Sequence, residues 1–330
     1  MLLNYFKAPF YLIGVFVCLI LKNYEKGLYF SNKVLESFPN SDYILRSKLF
    51  FSNMLKDFET SITIIDSLLE KNSNDFSLLI VKCHCLSLLG RFEEVLLVSN
   101  VLIKIDSKNI DILLMRSMAL IKTGEIKKSI KINNHVLAKK HISSFQKQKA
   151  LFINGLCMIE KSNFEEAIDY FDLAIDIDSD HVFYNYKGKV LDKLNKFEEA
   201  IECYDRAIDL NSSYVFPYVY KGLDLIRLNK CEEGFKYFNK AIKLNPEYGY
   251  IGKADGYVEL NMLDKALECY KDALEIDSKN DVAYYKIGLV YILLNQINNA
   301  TICFKNVLEI NPYCKQAKIE LKKIEYVINS

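Results

Sequence analysis

The sequence is poor in the residues that break helices. It has 12 glycines and 5 prolines in 330 residues, too few for a loop-rich or β-rich fold. Histidine is scarcer still. His84, His135, His141 and His181 are scattered, and none stands near a serine or cysteine motif that would complete a nucleophilic triad. A glycine-rich phosphate loop is also missing. So are long apolar runs: the greasiest stretch, residues 8–21, is 14 residues long, short of the roughly 20 a membrane-crossing helix needs. Lys7 precedes it as in a signal peptide, but the segment from Cys18 to Lys22 makes a poor cleavage site. The expectation is a chain that is not an enzyme and uses no cofactor and no metal.

Net charge is close to absent, at a formal +1, yet it is unevenly spread. Through residue 147, Lys and Arg number 20 against 13 Asp and Glu; beyond it they number 23 against 29. The excess of base gathers at Lys122, Lys127, Lys128, Lys131, Lys139, Lys140, Lys147 and Lys149, broken by Glu125. Such a patch suits phosphates, anionic lipid or an acidic partner, or is simply a solvated face. Aromatic residues do not alternate with these lysines, so base stacking has little support and nucleic acid is the weakest of these readings.

Cysteine is present nine times without a disulfide or metal pattern. Cys203, Cys269 and Cys303 sit at one repeating position, where small buried hydrophobes suffice, and an unpaired set suits a reducing cytoplasm. In Cys83-His84-Cys85 the two thiols point about 200° apart on a helix and cannot share a metal.

What the sequence does have is a repeat. Residues 197–211 (FEEAIECYDRAIDLN) have near-copies at 164–178 (FEEAIDYFDLAIDID) and from Leu263 (LDKALECY), spaced by about 34 residues. Apolar residues recur at three- and four-residue steps on either side of a short break, which predicts two amphipathic helices per unit. In 181–214 these are Tyr184, Gly188 and Leu191, then Phe197, Ala200, Ile201, Tyr204, Ala207 and Ile208. One such hairpin cannot bury its apolar stripe alone, so several must stack. The Glu198-Glu199 pair marks a helix start, where acids favour the N-terminus, and is not an acid/base couple.

The pattern resembles the tetratricopeptide repeat (TPR) family. Unit 281–314 carries Tyr284, Ile287, Gly288, Tyr291, Ala300, Phe304 and Pro312 at the family positions, with Val307 in place of the third small residue. Counting back gives units at 8–41, 42–75, 76–109, 110–147, 148–180, 181–214, 215–248, 249–280 and 281–314, with 315–330 as a capping helix. The first small position of the second helix reads Gly27, Ser61, Val95, Ser129, Ala167, Ala200, Gly234, Ala266 and Ala300. Its companion in the first helix reads Val15, Leu49, Cys83, Ser117, Gly155, Gly188, Gly222, Ala254 and Gly288. Residues 1–147 therefore hold divergent units, expected to have a more open helix crossing or compensating packing, and 148–314 hold regular ones. Unit 110–147 is overlong at Ala138–Phe145 and marks a boundary; unit 249–280 is about two residues short near Gly249.

The resemblance implies an all-α, right-handed superhelical solenoid of about nine helical hairpins plus a C-terminal cap. It implies a cytoplasmic interaction scaffold that takes a peptide segment or helix of a protein partner in a concave groove lined by first helices. Carried onto this chain, the groove presents Tyr186, Lys189, Lys193, Tyr220, Leu223, Arg227, Asp255, Glu259, Tyr285, Lys286 and Leu289. The basic clamp with which some relatives hold chaperone tails is not matched, because Tyr220, Leu223 and Gly252 fall at such positions. Nor is an asparagine ladder, since Asn154 and Asn185 are isolated. Residues 8–21 read as the first helix of the first repeat. A terminal helix apolar all round is anomalous, and contact with a membrane, a partner or a second copy would account for it. The alternative function is thus a membrane-peripheral assembly factor, with an RNA-binding superhelix behind it.

Overall fold

The computed structural model describes residues 2–329, with side chains placed over 10–326. Every regular element among them is a helix. The chain divides into two compact units, Met1–Ala138 and Lys139–Ser330, so the division falls ahead of the 147/148 boundary drawn from the repeat. The first unit contains α1 (Leu2–Leu21), α2 (Tyr24–Leu35), α3 (Asp42–Met54), α4 (Phe58–Leu69), α5 (Phe76–Leu88), α6 (Phe92–Ile105), α7 (Ile110–Lys122) and α8 (Ile126–Leu137). The second contains α9 (Ser144–Glu160), α10 (Phe164–Ile175), α11 (His181–Lys193), α12 (Phe197–Leu210), α13 (Val215–Arg227), α14 (Cys231–Leu244), α15 (Pro246–Glu259), α16 (Leu263–Ile276), α17 (Asp281–Leu293), α18 (Ile297–Ile310) and α19 (Lys315–Asn329). They form nine hairpins, α1–α2 through α17–α18, and α19 covers the last.

One backbone device closes all nine hairpins. Lys22, Lys56, Gly90, Gly124, Ser162, Asn195, Asn229, Asn261 and Asn295 have φ between 53° and 85°. In each case the next N–H donates to the carbonyl five residues back, from Asn23 to Cys18 (3.1 Å) through Lys196 to Leu191 (2.9 Å) to Gln296 to Tyr291 (2.8 Å). This is the Schellman turn, which satisfies carbonyls left open at a helix end. It marks the divergent units as clearly as the regular ones.

Three helix starts correct the repeat-derived bounds. α1 begins at Leu2 and not at 8. α9 begins at Ser144 and not at 148, because Ser143 and Gln146 form a capping box (Ser143 Oγ accepts from the Gln146 N–H at 3.1 Å, and Gln146 Oε1 from the Ser143 N–H at 3.4 Å). Residues 138–143 carry the non-helical excess of the overlong unit. α15 begins at Pro246 and not at 249, since Asn245 both ends α14 and caps α15. Its N–H donates to Ala241 O at 2.8 Å while its side chain accepts from the Tyr248 N–H at 3.1 Å. With the connecting loop removed, α15 lies against the α14 backbone: a Cβ at Gly249 would stand 2.3 Å from Ile242 N.

Within each hairpin, volume is traded between two core positions 16 residues apart. In the second unit a small first-helix residue faces a fully buried aromatic. A Cβ at Gly155, Gly188, Gly222 or Gly288 would lie 2.4–2.7 Å from the ring of Phe171, Tyr204, Phe238 or Phe304. Ala254 and Tyr270 are the fifth such pair. In the first unit the same two positions read Val15 and Ser31, Leu49 and Ile65, Cys83 and Ser99, Ser117 and Asn133, all buried. The aromatic is gone from the second helix, and the four pairs replace it in different ways: the larger residue is on the first helix in Val15–Ser31 and Cys83–Ser99, on the second in Ser117–Asn133, and Leu49 and Ile65 are both large. In the first hairpin the neighbouring α3 supplies a ring instead, since a Cβ at Gly27 would stand 2.4 Å from Phe51.

Candidate functional site

Four consecutive first helices of the second unit, α11, α13, α15 and α17, line a groove of about 270 Å³. α13 packs directly on α15 and touches α11, so side chains three and four residues apart along each helix share one concave face. Lys189, Lys193, Tyr220, Leu223, Arg227, Asp255, Glu259 and Lys286 line it, joined by Asp192, Asp224, Val258 and Tyr204 of α12. Leu223 is 9% exposed and belongs mostly to the core around Phe238.

The other expected groove residues do not line this cavity. Tyr186 is held by rings, edge-on to Phe152 at 5.2 Å and tilted against Phe171 at 6.2 Å. Tyr285 packs against Phe304 at 5.6 Å, and Leu289 joins the cluster that α19 seals with Ala317 and Leu321. Neighbouring side chains half-bury all three.

The groove floor is a charged network that laces three first helices together. The Arg227 guanidinium donates to Glu259 Oε1 at 2.6 Å, to Asp224 Oδ1 at 3.2 Å and to Asp192 Oδ1. Asp224 is 1% exposed, and its second oxygen, Oδ2, has no hydrogen-bond partner. Burial, and then the Asp192 carboxylate beside it, pushes the Asp224 carboxyl up to about 8. Next to this centre Lys286 donates to Asp255 at 3.2 Å, and the Tyr270 hydroxyl donates to the same carboxylate. Burial raises the Tyr220 phenol, so it stays protonated as a neutral wall.

Two cations are left over. Lys189 Nζ lies 5.1 Å from the Tyr186 ring centroid and 5.0 Å from that of Tyr220, a double cation–π contact. Lys193 is exposed. Neither makes an ion pair among the described residues. Sequence reasoning missed Asp192 and Asp224, whose signal was their spacing: three residues from Lys189 and four from Tyr220.

The lysine-rich stretch is split by the chain's division. Lys122, Lys127, Lys128 and Lys131 belong to the first unit, with Lys128 paired to Glu125. Lys139, Lys140, Lys147 and Lys149 belong to the second. Phe145 is exposed and is the aromatic this stretch presents. Cys83 and Cys85 are buried, with burial pushing the Cys83 thiol up to about 12, and no metal-holding cluster occurs among the described residues. No helix among them is long and apolar enough to cross a membrane.

The hairpin turn, the small-to-aromatic core pairs and a groove built from first helices define a class: a stacked helical-hairpin scaffold. Family models described as "Tetratricopeptide repeat" match residues 182–214 and 282–314, and one described as "TPR repeat" matches 254–295. The chain is a tetratricopeptide repeat protein. Among solved structures it is similar to the APC/C hetero-tetramer Cut9–Hcn1, with 17% identity and a TM-score of 0.51 over 88% of this chain. The chain spans 56% of that neighbour's length, and the likeness concerns the fold alone. Yeast Tom70 aligns with 16% identity and a TM-score of 0.46, over 98% of this chain and 89% of that one. MamA aligns with 21% identity and a TM-score of 0.41, over 52% and 92%. No curated protein matches the sequence. The repeats make this chain a protein–protein interaction scaffold.

Proposed function

We propose that the groove of the second unit holds an extended peptide segment of a protein partner, with no chemistry performed on it. The observation that carries this reading is a pair of cations, Lys189 and Lys193, with no carboxylate partner among the described residues, beside an apolar wall of Tyr220, Leu223 and Val258. The other groove charges are already spent on one another. A peptide with an acidic side chain next to an aliphatic or aromatic one satisfies both features. Because Arg227 ties three first helices together, the groove is formed before the partner arrives, which lowers the ordering cost of binding. We assign the role to the cytoplasm, since nine cysteines without a disulfide spacing pattern suit a reducing compartment.

The test uses peptides selected from a random library on the full-length protein, measured by fluorescence anisotropy. Lys189→Ala/Lys193→Glu is expected to weaken binding by about tenfold or more while leaving the circular dichroism spectrum unchanged. Selected peptides that bind this variant as tightly as the wild type would remove the groove from the account.

A further inference from the structure

α1 and α19 differ in what they turn to solvent. On α19 the outward positions include Lys315, Lys318, Lys322, Lys323 and Glu325, so charge meets solvent. α1 has no such cover. Tyr11, Val15 and Cys18 face α2 and the core behind it. The opposite half of the helix carries Phe10, Ile13, Ile20 and Leu21, each 64–73% exposed, with Phe16 at 58% between them. Leu12 and Val17 flank them, and no charged residue occurs from 8 to 21.

Inside the unit, the equivalent face of a first helix is not left open. α2 covers α3, and α4 covers α5. The outer side of α1 is an apolar face that no helix among the described residues covers. These residues expose on the order of 700–800 Å², close to the roughly 800 Å² per partner of a standard stable interface. A face with no charge can also be set against itself without like-charge repulsion, as a two-fold interface requires. A helix lying on a lipid surface carries a strongly charged face along its length, whereas here Lys7 and Lys22 only bracket the run and no charge lies between them.

We propose that two copies of this chain pair through α1 across a two-fold axis, with Ile13, Phe16 and Ile20 at the centre of the contact. The surface is distinct from the groove, and the two functions are separable.

Sedimentation velocity on the full-length protein across a wide concentration range tests it. The wild type is expected to be a dimer. Phe16→Glu and Phe16→Lys, each burying two like charges at the axis, are expected to be monomers with unchanged helicity, their dimerisation weakened by about 100-fold or more. Mixing the two variants is expected to restore a heterodimer, which a merely misfolded helix cannot do. Lys189→Ala/Lys193→Glu leaves the dimer intact. A wild type that is monomeric at every concentration overturns the proposal, as does a dimer that survives both charged variants. So does a monomer that floats with vesicles of phosphatidylcholine and phosphatidylserine.

Discussion

The exchange of volume between paired core positions can be tested at Gly155 and Phe171. A Cβ at Gly155 would stand 2.4 Å from Phe171 Cε1 and 2.8 Å from Cδ1. The ring cannot retreat, because Phe152 packs on it at 5.7 Å and Tyr186 at 6.2 Å. Gly155→Ala therefore forces overpacking, at about 1–3 kcal/mol, against which the helix propensity of Ala returns at most about 1 kcal/mol. Phe171→Ser empties the site from the other side; aromatic truncation in a core costs about 3–5 kcal/mol. The register-equivalent pair in the first hairpin is Val15 with Ser31, both fully buried. Gly155→Val/Phe171→Ser installs that pair in the second unit, where the Val methyls occupy part of the space the ring vacates. The double variant is expected to be more stable than the sum of its single variants by about 1–3 kcal/mol. Urea denaturation of the full-length protein, followed by circular dichroism, measures the cycle. Additivity within about 0.5 kcal/mol would refute the reasoning, since contacting positions that share one volume cannot be independent.

Two further perturbations address the turns and the groove floor. Lys56 is exposed and adopts φ 61°, where a side chain is strained and glycine is not. Lys56→Gly is expected to raise stability by about 0.5–1 kcal/mol while Lys56→Ala gives no gain; thermal melts of the three proteins decide it. Asp224 holds its proton well above the ordinary carboxylate value of 3.8, up to about 8. The folded state then binds a proton the unfolded state has released, so this group's contribution to stability falls as pH rises from about 4 towards 8. Relative to Asp224→Asn, the wild type should lose stability as pH rises across that window, and parallel stability–pH profiles would exclude it.

The hairpin count was legible because small residues recur on both helices, from Gly27 to Ala300 on the second and from Gly155 to Gly288 on the first. The trade of Val15 for Ser31 was not, since it becomes visible only when two positions 16 residues apart are known to face each other. Helix starts were read late at α9 and α15 because the capping residues Ser143 and Asn245 lie upstream of the apolar pattern. Of the groove residues named from the repeat, eight line the cavity. Spacing could not show that Tyr186 and Tyr285 would pack on Phe152 and Phe304 instead. Asp192 and Asp224 were overlooked for a related reason. Acids on an amphipathic helix read as solvent-facing, whereas Asp224 is buried and Asp192 half-buried against the Arg227 guanidinium.

The constancy of the turn and the freedom of the core explain where specificity can reside. The Schellman closure recurs at Lys22 and Lys56 despite the strain of those residues, so the fold holds hairpin geometry even where the side chain is unfavourable. The paired core positions drift from Gly and Phe to Val and Ser, or to Leu and Ile, while the hairpin turn persists. Neither constraint reaches the outward positions of the first helices. Lys189 and Lys193 lie at such positions, where no turn or core pair dictates the residue. The apolar arc of α1 is likewise unexplained by hairpin packing, because Val15 and Cys18 already supply the buried side of that helix. Residues that the repeat does not require are the ones left to choose a partner.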